Sequence, residues 1–261
     1  MSIGLIIIGD EILSGKRRDQ HFSKVIELLA ERGLQLAWAE ILGDEPARIT
    51  ATLRRSFASD DIVFCCGGIG STPDDHTRQC AAAALGLPLV LHPEGVANID
   101  QRIREMAAQA GKPADLDSAE HRQRLQMAAF PAGAGLIPNP YNKVAGFSVG
   151  QHHFVPGFPV MAWPMIASVL DTGYQHLFHR APHSEHAVLV YELAESTLTP
   201  LMLALEAAYP LVKVFSLPSV GDAQTRRHIE LGVKGEPGQS AGAFAAMCAE
   251  LDRLAAEYSL L

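Results

Sequence analysis

Cys65-Cys66-Gly67-Gly68-Ile69-Gly70-Ser71-Thr72-Pro73-Asp74-Asp75-His76-Thr77 follows the apolar run Ile62-Val63-Phe64 and leads into a helix-like segment, Arg78 to Leu85. A strand that breaks into glycines and then into hydroxyl and carboxylate residues is suited to holding phosphate. Glycines lack Cβ atoms, so the backbone can turn sharply and aim several N–H groups at one anion near the positive end of a helix dipole. Gly67, Gly68, Gly70, Ser71, Thr72 and Thr77 are therefore candidate phosphate-binding residues. Carboxylates beside a phosphate repel it unless a divalent cation lies between them, so Asp74 and Asp75 point to an ion of the magnesium class. The same aspartates would equally serve as caps for the following helix.

Working outward, Ile3 to Ile8 is a second apolar, β-branched run, and it opens into Gly9-Asp10-Glu11-Ile12-Leu13-Ser14-Gly15 before a helix from about Phe22 to Glu31. Continuous apolar strands are what a parallel sheet covered on both faces requires. In such sheets ligands sit beyond the carboxyl ends of the strands, where both polar loops would fall. Leu34 to Ile41 reads as the next strand, Pro46 to Phe57 as a helix and Asp61 to Cys66 as a strand. Alternation at this spacing predicts right-handed βαβ crossovers and a three-layer α/β domain with a mostly parallel sheet. Asp44 falls at another strand-to-helix junction on the same edge; it suits the cap of the helix that starts at Pro46, or a metal or substrate role beside the neighbouring loops.

Two familiar phosphate-binding patterns are excluded. Gly9 and Gly15 are too far apart for the Gly-x-Gly-x-x-Gly turn of dinucleotide-binding folds. A Walker-type loop fails as well, because no Gly-Lys-Ser/Thr follows Gly67 to Gly70.

The Gly9 to Gly15 opening, Asp44 before a helix, and Gly67 to Thr77 together resemble the molybdopterin-binding domain of MoaB/Mog-type proteins, and more closely the N-terminal part of the competence-damage-inducible CinA-type proteins. The aliphatic Ile69 favours CinA, since the Mog type usually has Thr there. Pro131-Ala132-Gly133-Ala134, Asn139, Gly146-Phe147 and Val155-Pro156-Gly157-Phe158-Pro159 extend the resemblance over roughly the first two thirds of the chain. It implies a fold of molybdopterin-binding type, a nucleotide or pterin phosphate on the glycine loop, Gly9, Asp10 and Glu11 in the site, and a cation on Asp10, Asp44 and Asp75. Asp44 and Asp75 are the expected catalytic carboxylates. Four departures stand out: His21 where Asn is common, Cys66 where Thr or Ser is usual, Ser71 in place of Pro, and Val160-Met161 where the family has Glu-Met.

Three functions follow from these expectations. With water attacking a phosphoanhydride the resemblance implies a metal-dependent pyrophosphatase for substrates such as ADP-ribose or FAD. With molybdopterin phosphate attacking ATP it implies adenylyl transfer in molybdenum cofactor biosynthesis. The third is a pterin- or nucleotide-binding module without turnover. A homo-oligomer, dimer or trimer, is also implied by the resemblance.

Two helical stretches, Ile99 to Ala110 and Ala119 to Ala128, read as an insertion over the sheet edge, with Arg102, Arg104, Arg122 and Arg124 as a solvated face or as groups closing over phosphate. From about His186 the pattern changes to strand, helix, strand, strand and an alanine-rich helix, Ala241 to Tyr258, which predicts a small α+β domain of split-βαβ character. The expected domains are 1–175 and 185–261. His152-His153 and the group His176, His179, His183 and His186 read as scattered surface histidines rather than metal ligands, because no cysteine or carboxylate cluster accompanies them, and 180–182 reads as a linker. His76, inside the glycine loop, is given no role.

At 261 residues with a net charge of −8 and no basic run, the chain has the wrong electrostatics for nucleic acid as its main partner. Its four cysteines include the adjacent Cys65 and Cys66, which fits no disulfide framework or zinc site and suggests a reducing, cytoplasmic setting. Ile3 to Ile8 is too short for a membrane span or a signal peptide.

Overall fold

The computed structural model describes residues 2–179, 184–222 and 224–261, and the chain divides into two compact units, Met1–Phe178 and His179–Leu261. The first unit begins with β1 (Ile3–Ile8), the single turn α1 (Asp10–Leu13), α2 (His21–Ala30), β2 (Trp38–Leu42), α3 (Pro46–Phe57), β3 (Ile62–Cys66) and α4 (Thr77–Leu85). It continues with β4 (Leu89–Leu91), α5 (Pro93–Gln109), α6 (Ala119–Leu125), β5 (Ala129–Pro131), β6 (Gly135–Ile137), β7 (Gly146–Val149), β8 (His152–Val155) and α7 (Pro159–Gly173). Six strands form one sheet in the order β2-β1-β3-β8-β7-β6, the first four parallel and β7 antiparallel to both of its neighbours.

Every residue of β1 and β3 is buried, because the sheet is covered on both faces. Ile3, Leu5, Ile7, Phe64 and Cys66 point to one core with α2 and α7; Ile6, Ile8, Val63 and Cys65 point to the other with α3 and α4. The two adjacent cysteines thus lie on opposite faces, as the two-residue period of a strand demands. The three-layer α/β architecture with a mostly parallel sheet is present, and it stacks the carboxyl ends of β1, β2, β3 and β8 along one edge.

The ladder of β2 starts at Trp38 rather than Leu34. Leu34 N–H closes the end of α2 on the Leu29 carbonyl at 2.9 Å, and Leu34 and Leu36 pack against the first core, so that stretch is used for turning and packing. The insertion helices expected from Ile99 and Ala119 are present, α5 starting earlier at Pro93 with the His92 ring accepting from Gly95 N–H.

The second unit holds β9 (Ser184–Tyr191), α8 (Glu195–Ala208), β10 (Val212–Ser219), β11 (His228–Gly235), α9 (Pro237–Arg253) and β12 (Tyr258–Leu260). Its antiparallel sheet runs β10-β11-β9-β12, the β-α-β-β-α-β arrangement of split-βαβ domains. The helix expected to reach Tyr258 stops at Arg253, since Ala255 adopts a left-handed φ of 51° and Ala256 N–H returns to Leu251 O, freeing Tyr258–Leu260 to pair with β9. The core of this unit gathers Val188, Val190, Leu231 and Val233 from the strands with Leu198, Leu201, Met247 and Leu251 from the helices.

The surface reading of the histidine pair is corrected. His152 and His153 begin β8 and are buried; His152 Nε2 meets Ser56 Oγ at 2.5 Å, and His153 is held between Ser148 Oγ at 2.8 Å and Tyr174 OH at 2.7 Å. A strand that starts inside a covered sheet buries both of its faces, so neither histidine can remain at the surface. Residues 180–182 and His183 lie outside the described residues, and His176 and His179 are exposed.

Candidate functional site

Two loops meet at the carboxyl edge. The first leaves β1 at Gly9, whose N–H donates to Leu42 O at 3.0 Å. Asp10 N–H then donates to Asp44 Oδ2 at 2.9 Å, and Asp44 N–H donates back to Asp10 Oδ1 at 3.2 Å. This reciprocal pair pins the ends of β1 and β2 together and uses one oxygen of each carboxylate. Glu45, not Asp44, caps α3: its carboxylate accepts from Ala47 and Arg48 N–H at 3.1 and 2.9 Å. A glutamate reaches the second and third amides of that helix, which releases Asp44 for the loop contact.

The second loop leaves β3 at Gly67, where φ is 109° and a Cβ would overlap the Ile8 carbonyl oxygen; only glycine lets this loop pass so close to the end of β1. Gly68, at φ 67°, leaves room for Thr77, whose hydroxyl donates to Gly67 O and whose N–H donates to Gly68 O, both at 2.9 Å. Thr77 therefore braces the loop from behind. Asp75 turns inward and accepts from Thr72 N–H at 2.8 Å and the Thr72 hydroxyl at 2.5 Å, closing the Thr72 to Asp75 turn. Among the described residues the N–H groups of Gly68, Ile69, Gly70 and Ser71 donate to no protein acceptor.

Asp10, Glu11, Leu13, Ser14, Lys16, Asp44 and Asp74 line one open cavity of about 620 Å³. The two loops, far apart in sequence, thus contribute to one place, with Asp74 rather than Asp75 facing Asp10 and Asp44. Burial raises the Asp44 carboxyl above its ordinary range, opposed by the Asp10 N–H and reinforced by the negative charges of Asp10, Glu11 and Asp74. Asp74 is lowered by hydrogen bonding within its own turn. No three His, Cys, Asp or Glu side chains among the described residues stand together as a ready-made metal cage, so the set Asp10, Asp44, Asp75 is not assembled on its own.

A residue that the sequence reading left out is Arg78, 2% exposed on the second position of α4. Its guanidinium donates to Gly70 O at 2.5 Å and to Gln126 O, and Gln123 Nε2 donates to Ser71 O at 3.0 Å. Holding the Gly70 carbonyl from behind turns the Ser71 N–H of the same peptide plane the opposite way. The signal was there in principle: an arginine on the face of an alanine-rich helix that must be buried. From the insertion, Gln123 and the Gln126 carbonyl reach the loop and Arg78, while Arg104, Arg122 and Arg124 stay with Asp100, Asp117 O and Glu120 on its surface.

With that geometry in view, residues 4–176 match the family described as "Probable molybdopterin binding domain". The chain belongs to that family. Among relatives of this molybdopterin-binding domain chain, a CinA-like protein of Mycobacterium marinum is 31% identical over 245 residues, covering 90% of this chain and 56% of the relative. A CinA-like protein of Mycobacterium tuberculosis is 30% identical over 244 residues, with 90% and 55% covered. The chain spans about half the length of these curated relatives. The crystal structure of CinA from Thermoplasma acidophilum aligns with a TM-score of 0.55 and 23% identity over 66% of this chain and 98% of that one, a likeness of fold. Among the described residues no helix is long and apolar enough to cross a membrane.

Proposed function

We propose that this molybdopterin-binding domain chain is a metal-dependent nucleotide pyrophosphatase acting on pyrophosphate-linked substrates of the ADP-ribose or FAD type. The observation that carries the reading is the reciprocal Asp10–Asp44 pair opposite Asp74 and beside a loop of uncommitted amides. Among the described residues the pair leaves Asp10 Oδ2 and Asp44 Oδ1 without a protein donor, and the Asp44 carboxyl, raised first by burial and then by the negative charges of Asp10, Glu11 and Asp74, sits where a cation would relieve the crowding. Ions of the magnesium class take one or two carboxylates and complete their shell with water and phosphate oxygens, so two protein ligands suffice. Asp10 and Asp44 would hold such an ion, which when bound draws charge off the bridging phosphates.

The chain's own groups bind and orient. The Gly68 to Ser71 amides receive phosphoryl oxygens, and the Lys16 ammonium in the cavity lined by Asp10, Asp44 and Asp74 offsets phosphate charge. Thr77, Arg78 and Asp75 keep the loop in that conformation. Hydrolysis then adds water to one phosphorus, breaks the bridging P–O bond and releases two monophosphates.

Incubation with ADP-ribose, FAD or ATP and magnesium, manganese or cobalt tests the reading. Mononucleotide release from ADP-ribose or FAD, lost on chelation, is the expected result; intact substrates under every metal would reject it. One observation favours binding without turnover instead: the first turn of α7, where the resembling family has a glutamate, carries Val160 and no acidic residue. Retention of labelled nucleotide with no product would select that second reading.

A further inference from the structure

In the second unit both helices lie on one side of the sheet, where Leu198 of α8 and Met247 of α9 pack with Val188, Val190, Leu231 and Val233. The alternate residues of each strand point to the other side. Among the described residues no element of this unit covers that side. The open face of an antiparallel sheet is ordinarily polar. This one carries Phe215 and Leu217 from β10 and Ala187, Leu189 and Tyr191 from β9, and Leu217 is 56% exposed.

The strand register sets what stands where on that face. Lys234 lies directly across from Glu185, Gly232 lies between Phe215 and Ala187, and Glu230 lies between Leu217 and Leu189. On the β10 side a knob rises: the Phe215 ring occupies the space that a Cβ at Gly232 would take, and Lys234 Nζ stands 5.9 Å from the centre of the ring. Toward the β12 side, at the same height, lies a cavity of about 330 Å³ lined by Glu185, Ala187 and Glu230 of this face together with Phe244 and Leu261. The knob is aromatic and cationic, and the hollow is apolar and acidic. Among the described residues Lys234, Glu185 and Glu230 form no ion pair within the chain.

Strand order relates the two features by symmetry. β11 and β9 are the middle strands, and β10 and β12 are the edges. A two-fold axis parallel to the strands, between β11 and β9, lays β10 of one copy over β12 of another and keeps every residue at its own height. Each Phe215 then meets the hollow of the other copy, and each Lys234 meets a Glu185, the self-complementary pairing that an isologous contact requires. Aligned sheets pack face to face within about 30° of each other, which this axis permits. Pairing by edges is disfavoured at β10: Val212 N–H donates to Tyr209 O at 3.0 Å, Val214 N–H donates to Glu206 Oε1 at 3.1 Å, and Pro218 has no N–H.

We propose that this face is a contact between two copies of the chain, Phe215 of each seated in the hollow beside Glu185 and Glu230 of the other. The contact goes beyond the proposed reaction and does not depend on it. Sedimentation equilibrium of the full chain over a concentration series is the test. The wild type is expected to dimerise in the micromolar range, and Leu217→Lys and Phe215→Glu each to raise Kd about tenfold or more. Leu217 is mostly in water already, so its replacement keeps the decision open if the Phe215 variant misfolds. Leu203→Lys, 65% exposed on α8 behind the sheet, is expected to change nothing.

Charge exchange separates a contact between copies from an effect within one. Glu185→Lys alone and Lys234→Glu alone are each expected to weaken self-association about tenfold, since like charges then meet across the axis. Mixed in equal amounts, the two variants are expected to form a heterodimer, because both cross-axis pairs regain opposite signs while the pair inside each chain stays repulsive. A wild type that remains monomeric, a three-fold assembly, an assembly whose size Leu217→Lys leaves unchanged, or a mixture that associates no better than its components overturns the proposal.

Discussion

The two ends of the six-stranded sheet treat their polar groups in opposite ways. At the amino end they satisfy one another: Asp61 accepts from Ser2 N–H and Trp38 Nε1, both at 2.9 Å, His152 meets Ser56, and His153 bridges Ser148 and Tyr174. At the carboxyl end they are left open. Asp10, Glu11, Asp44 and Asp74 crowd one cavity, four consecutive amides have no protein acceptor, and His21 Nδ1 and Arg78 Nε are buried without partners among the described residues. Open valences inside a protein are unfavourable unless a ligand completes them, so the first end supports the fold and the second is where we propose that a ligand binds.

The sharpest challenge to that contrast is acid. Burial holds the His152 and His153 imidazoles down to about 4, against an ordinary value of 6.5. Because the folded state disfavours the protonated rings, their contribution is fully present above pH 6.5, declines as pH falls toward 4 and levels off below it. Each is expected to lose about 2 kcal/mol of stability by about pH 5, measured as the shift in urea midpoint relative to about pH 7.5. A flat profile over that range would mean that the amino end is not the closed network described.

Asp44→Asn probes the opposite end. It is expected to lower pyrophosphatase turnover about 100-fold or more, through the loss of a charged oxygen from the pair, while the melting temperature stays the same or rises as like charge is relieved. A variant as active as the wild type would break the assignment of Asp44.

Smaller effects sharpen the comparison. Arg78→Lys keeps the charge but cannot reach both Gly70 O and Gln126 O, and is expected to raise KM about tenfold with little change in kcat. Partial rescue by free guanidinium after Arg78→Ala would separate positioning from general loosening. Glu45→Ala, next to Asp44, should cost about 1 kcal/mol of stability as a lost helix cap and leave turnover unchanged, the reverse of the Asp44 result. Chemical denaturation and a product assay on the same preparations check both.

Much of the edge was legible from residues. The two apolar runs, the glycines after β3 and the carboxylates after β1 placed the loops on one side of a parallel sheet, because strand burial and glycine geometry are local properties. The partner of each carboxylate was not legible. Asp44, Glu45, Asp74 and Asp75 share one chemistry, and which of them caps, which closes a turn and which faces the cavity depends on loop paths that differ by a peptide plane. Arg78 and His21 were hidden for a related reason: the buried face of a helix can be read from its apolar residues, but which backbone oxygen a lone arginine or histidine on that face reaches cannot.

The second unit shows the same division on a smaller scale. Alternation and turn residues specify its strands and helices, yet nothing in the composition of Leu254-Ala255-Ala256 marks a stop, and only the left-handed turn at Ala255 sends Tyr258–Leu260 back beside β9.

By itself the amino-acid sequence determined the layering, the parallel core strands and the position of the glycine loop, since these follow from which residues water excludes and which lack a Cβ. The tertiary structure alone decided that Asp10 and Asp44 exchange hydrogen bonds, and that Asp74 faces them and Asp75 does not. Those outcomes depend on hydrogen-bond partners dozens of residues apart, whose meeting is fixed by strand order and not by any local pattern.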